Sequence, residues 1–179
     1  MEKVRYLVYA GLMAALTAVG ALTAITIPAL TPVPFTLQVL AVYLTLGLLP
    51  PRYAAAAQLA YLALGALGLP VFAGGARGVG ILVGPFAGYL WAYPVAAGIG
   101  SWLAHRPVRG SLVAGLLAAL LLIYAGGVAG LVAVAHLSLA KAVLAGVVPF
   151  VAWDAVKAVV AYPVIRQVRR VVTARAAEA

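Results

Sequence analysis

The sequence predicts an all-α integral membrane protein, a bundle of six transmembrane helices in a single domain spanning 1–179. Three observations predict it. The chain is 66% hydrophobic, whereas soluble domains average roughly 45–50%. Charged residues make up only 8%, and the mean hydropathy is +1.16. A water-facing globule of this size would be left with a largely apolar surface, so the solvent this chain fits is a lipid bilayer.

A transmembrane helix needs about 20 apolar residues, and six stretches approach that length: 6–27, 35–49, 53–70, 79–104, 110–135 and 143–165. The first follows Lys3 and Arg5 and resembles the start of a secretory signal. Its apolar run exceeds the roughly 7–15 residues of a signal core, so it is read as a retained helix. Breaks are expected at Pro28, at Pro32-Val33-Pro34, at Pro50-Pro51, at Pro70, across the glycine-rich stretch 74–80 and at Arg106-Pro107. Proline removes a backbone donor and glycine loosens the chain. Pro94 should kink the fourth helix.

The net charge of +9 reads as topology. With both termini cytoplasmic, Lys3, Arg5, Arg52, Arg106, Arg109, Arg166, Arg169, Arg170 and Arg175 all face inward. The outer loops then keep Arg77 and Lys141, as the positive-inside rule favours. A nucleic-acid partner is not expected. There is no cysteine, and His105 and His136 are too far apart in sequence for a convincing metal site. No cofactor is expected either.

The acidic residues are Glu2, Asp154 and Glu178, so Asp154 is the only carboxylate side chain in the membrane region. Lys157 follows three residues later on the same helix face. Charge at bilayer depth costs about 2.5–3.5 kcal/mol per residue, and such residues usually face the bundle interior and mark a functional site. A self-compensated structural ion pair is the bland reading of the two. A polar ligand site, open to the outside about 15 Å below the outer end of the sixth helix, is the functional one. Phe150, Trp153 and Ala161 share that helix face.

The loop 72–80, glycine-rich and expected outside, lacks the Gly-x-x-x-x-Gly-Lys-Ser/Thr pattern of a phosphate-cradling loop. It is read as a lid, with Arg77 either meeting a ligand carboxylate through its planar fork or lying at the headgroups. Ala10, Ala14 and Ala18 form a small-residue stripe on the first helix. Spacing alone allows internal packing or docking of a partner helix. No Gly-x-Ser-x-Gly or His-Glu-x-x-His setting points to an enzyme.

Four blocks resemble the signature of the BioY family: Val33-Pro34-Phe35-Thr36-Leu37-Gln38, Gly68-Leu69-Pro70-Val71-Phe72-Ala73-Gly74-Gly75, Gly84-Pro85-Phe86-Ala87-Gly88-Tyr89, and Gly146-Val147-Val148-Pro149-Phe150 with Asp154 and Lys157. The resemblance implies the biotin-binding S component of an energy-coupling factor (ECF) transporter. Its implied partners are biotin, the lipid bilayer, an EcfT-like transmembrane coupling subunit and two ATP-binding-cassette ATPases. A solitary facilitator working without ATPases is the alternative.

The resemblance also implies roles. Asp154 would accept from a ureido N–H of biotin and Lys157 would donate to the ureido carbonyl, with the exchanged arrangement, lysine on the valerate carboxylate, as the alternative. Gln38 would take either role, Phe35, Phe72, Tyr89 and Trp153 would form walls, and Arg77 would hold the carboxylate. Ala10, Ala14 and Ala18 match the stripe that docks on the coupling subunit in related S components. The family often has Gly-Pro-Thr-Gly-Gly-Tyr where this chain has Gly84-Pro85-Phe86-Ala87-Gly88-Tyr89, and Pro-Gly where it has Ala152-Trp153. Both departures flank the expected pocket.

Overall fold

The computed structural model describes residues 2–177 along the backbone and residues 3–172 in their side chains. Glu178 lies outside the described residues, as do the side chains of Glu2 and Arg175. Seven α-helices run among the described residues: α1 (Glu2–Leu22), α2 (Gln38–Leu48), α3 (Pro51–Ala66), α4 (Ala87–Ala104), α5 (Ser111–Ala133), α6 (Leu139–Gly146) and α7 (Val151–Ala177). Two helices, α1 from Lys3 and α5, are individually long and apolar enough to cross a membrane. α6 and α7 together make a third candidate, bent by 47° at the break between them.

The expected first span ends five residues early, because the prolines after it impose extended backbone. Instead of helix, β1 (Ile25–Ile27) and β2 (Thr31–Phe35) form an antiparallel hairpin, pairing Ile25 with Phe35 and Ile27 with Thr31. Thr31 Oγ1 donates to the Ala145 carbonyl at 2.7 Å, which ties the hairpin to α6. The expected fourth span also starts late. Residues 79–82 form a single 3₁₀ turn and α4 begins at Ala87. The expected sixth span is broken by Pro149, which has no N–H to continue the ladder.

Packing follows the small residues. A side chain at Gly88 would run into the Gly126 carbonyl, and one at Gly115 into the Gly100 carbonyl. The glycines of α4 and α5 therefore let these two backbones approach closely, as small residues do between membrane helices. α1 lies against α2 and α3. Gln58 of α3 links all three helices, donating to Thr17 of α1 at 3.1 Å and Thr45 of α2 at 3.2 Å. The alanine stripe faces this interior: Ala10 and Ala14 are buried and Ala18 is half-buried. Its Cβ atoms pack within the chain, so the surface that α1 leaves open is instead the aliphatic face of Val4, Leu7, Val8, Leu12 and Val19.

Candidate ligand-binding site

A cavity of about 310 Å³ opens between the hairpin, the 72–81 loop and helices α2, α4, α5 and α7. That is near the lower end of the roughly 300–1,000 Å³ usual for small-molecule pockets. Each of the four sequence blocks contributes to its wall. The first supplies Val33, Pro34, Thr36 and Gln38, and the second Phe72 and Ala73. The third supplies Phe86 and Tyr89, and the fourth Phe150, Asp154 and Lys157. Segments far apart in sequence thus converge on one space.

Its polar end is built on α7. The break at Pro149 places Asp154 in the first turn of α7, where the helix dipole favours a carboxylate. This differs from the straight span in which Asp154 was expected about 15 Å down. Lys157 Nζ donates to Asp154 Oδ1 at 2.6 Å, and the two residues are 4% and 2% exposed. Tyr124 of α5 donates to Asp154 Oδ2 at 2.8 Å. A carboxylate has about four acceptor sites and an ammonium three N–H groups. Neither is exhausted by these bonds, so an acceptor and a donor remain side by side at the wall.

Gln38 starts α2 and is buried. Its Nε2 donates to Tyr61 Oη at 2.8 Å, and its Oε1 accepts from Thr36 Oγ1 at 3.0 Å. The amide is thereby held in one orientation at the cavity. Phe72 is fully buried with its ring against Gly65, where any side chain would collide with it. It meets Tyr61 edge-on at 5.6 Å. This anchors a loop whose Gly74, Gly75 and Gly78 adopt φ of 67°, 80° and 91°, a region that strongly favours glycine. Tyr89 donates to the Gly146 carbonyl at 2.7 Å, linking α4 to the end of α6.

Three expected residues stand apart from the wall. Phe35 stacks on Phe150 at 4.5 Å, behind a residue that lines the cavity. Trp153 is 42% exposed and approaches Lys157 from outside, its ring centroid 5.5 Å from Nζ. Arg77 is exposed beside the lining residue Ala76. Sequence reasoning missed Tyr124, Thr36, Tyr93 and the hairpin residues. Tyr124 lies in a long apolar run with no periodic signal to single it out. The prolines of the hairpin were a legible sign of extended chain.

Chemically, the cavity offers apolar walls and one charged hydrogen-bonding pair of opposite polarity. In a dry setting such a pair selects a ligand carrying an N–H and a carbonyl close together, because any unmatched partner there is costly.

The model of the BioY family matches residues 1–174. The chain is 44% identical over 158 residues to the biotin transporter BioY of Thermotoga maritima, covering 88% of this chain and 91% of that protein. It is 41% identical over 150 residues to the probable biotin transporter BioY of Pyrococcus horikoshii, covering 84% and 87%. A solved structure, that of the S-component for biotin from an ECF-type ABC transporter, superposes with a TM-score of 0.83 at 28% identity, covering 94% of this chain and 93% of that one. With the family's sequence pattern running through nearly all of the fold and its four blocks meeting at one cavity, this chain belongs to the BioY family.

Proposed function

We propose that this chain captures biotin in the Asp154–Lys157 cavity as the substrate-binding subunit of an ECF-type transporter. The observation that carries the proposal is the buried acceptor–donor pair at the cavity wall, in a chain whose relatives include biotin transporters. The ureido ring of biotin presents N–H groups and a carbonyl within one small heterocycle. Asp154 accepts from the N–H, Lys157 donates to the carbonyl, and the Gln38 amide serves either edge. Phe72, Phe86, Tyr89 and Phe150 enclose the sulfur-containing ring. The valerate carboxylate points to the mouth, where Arg77 meets it as the 72–80 loop closes.

Six membrane passages underlie this reading, with α6 and α7 counted as one and both termini cytoplasmic. The basic residues then lie mostly inside. The chain itself carries out no reaction. Coupling to a transmembrane partner and two ATPases supplies the energy for inward release.

Thermal stability in detergent, with and without biotin, tests the ligand. A ligand that binds only the folded state stabilises it by mass action. Biotin should raise Tm, and Asp154→Asn should abolish the rise while remaining folded. No shift in the folded wild-type protein at saturating biotin would remove the assignment. Biotin counterflow in liposomes holding this chain alone would favour a solitary facilitator over the coupled transporter.

A further inference from the structure

At the end of the bundle remote from the cavity, α7 carries a run of arginines. Arg169 fixes the level of that end: its guanidinium donates to the Gly47 carbonyl at 2.6 Å and the Ala104 carbonyl at 3.2 Å, the last turns of α2 and α4. On either side of it, Arg166 and Arg170 are exposed and share one helix face four residues apart. Two adjoining hollows, of about 470 and 350 Å³, are both lined by Tyr162, Arg166 and Arg170, and the second reaches Gly110 and Ser111 at the start of α5.

Nothing in the described chain neutralises these two arginines. Asp154 is the sole carboxylate among the described side chains, and it is bonded to Lys157 and Tyr124 at the other end of the bundle. Among the described residues no carboxylate faces them.

The surroundings point to the kind of anion that would face them. Arg166 lies over the Tyr162 ring at 5.7 Å, and nearby Arg106 lies over the exposed Trp102 ring at 3.7 Å. Aromatic rings of this kind mark the headgroup level of a membrane. α7 exposes Val159, Val160 and Val164 on the cavity side of the arginines, a surface for acyl chains, and also Val168, Val171 and Val172 beside and beyond them. Phosphate above and hydrocarbon below is the order of groups in a phospholipid. We propose that Arg166 and Arg170, with Tyr162, form a binding site for the phosphate of an anionic phospholipid headgroup.

The planar guanidinium forks suit a phosphate diester, and a basic residue near a membrane surface contributes enough attraction for about a fivefold preference. This proposal is independent of the ligand assigned to the cavity.

The test is a thermal-stability titration of the full chain in neutral detergent with phosphatidylglycerol, phosphatidylcholine or sodium phosphate. Phosphatidylglycerol should stabilise at lower concentration than phosphatidylcholine. Arg166→Gln and Arg170→Gln should each weaken that preference about fivefold, and Lys141→Gln, on another element, should leave it intact. Arg166→Lys with Arg170→Lys should retain part of it, as charge without the fork. Equal stabilisation by the two lipids in the wild-type protein would overturn the site. Sodium phosphate matching phosphatidylglycerol, and displacing it, would overturn the lipid as occupant in favour of free phosphate.

Discussion

Lys157 Nζ stands 2.6 Å from Asp154 Oδ1, one turn apart on α7, with both side chains buried. Opposite charges so placed compensate each other, and the loss of one strands the other. Asp154→Leu should therefore cost about 3–5 kcal/mol, and Asp154→Leu with Lys157→Met should recover most of it. Unfolding of the three proteins in detergent measures this. A double variant as unstable as the single one would show that the pair is not mutually compensating.

Tyr124 holds the second oxygen of that carboxylate at 2.8 Å. A hydrogen bond to a charged group contributes about 1.5–3 kcal/mol. Tyr124→Phe should lower stability by that order and, by freeing Asp154 to rotate, weaken biotin binding at least tenfold. Calorimetric titration of the variant checks it, and unchanged affinity would count against a positioning role.

Tyr89 is wedged between two glycines. A side chain at Gly146 would strike its hydroxyl, and one at Gly127 would strike its ring. Overpacking of this kind costs about 1–3 kcal/mol. Gly146→Ala should be partly rescued by Tyr89→Phe, which removes the colliding oxygen. Gly127→Ala should not be, because the ring remains. Melting temperatures of the four proteins decide between these outcomes.

His105 caps α4. Its Nδ1 lies 2.8 Å from the Ser101 carbonyl and its Nε2 lies 3.2 Å from an Arg169 nitrogen. In the neutral ring, Nδ1–H donates to the carbonyl and Nε2 accepts from the guanidinium. Desolvation lowers its pKa below the ordinary 6.5, the Ser101 carbonyl opposes this, and the Arg169 charge adds to the lowering. A depressed folded-state pKa means that the unfolded chain binds the proton first as pH falls. Stability from this contact is full above about 6.5 and is lost as pH drops toward the lower folded value. His105→Gln should flatten that part of the Tm-against-pH curve; an identical curve would exclude His105 as its source.

Much of this was legible in the sequence. Asp154 and Lys157 announced themselves because ionised groups are rare in such a chain, and Gln38, Phe72 and Tyr89 came with the family blocks. What escaped has a common cause. β1 falls within the expected first span because hydropathy does not distinguish apolar strand from apolar helix, and β2 lies mostly in the expected break at Pro32-Val33-Pro34, where the prolines favour extended chain without naming its pairing partner. The orientation of the alanine stripe depends on which neighbours α1 acquires, and helix spacing alone does not name them. Tyr124 on α5 reaches Asp154 on α7 across 30 residues of chain, a long-range relation that a single chain read in order does not display.

One helix joins the two ends of the molecule. Asp154 at the cavity and Arg169 at the far end lie on α7 with no break between them, about 22 Å apart at about 1.5 Å per residue. α7 is in effect a connecting rod: one hydrogen-bonded ladder carries the carboxylate at one end and, through Arg169, is fastened to the last turns of α2 and α4 at the other. Pro163, the one residue along that stretch without an N–H to bond back, is where the rod has its give.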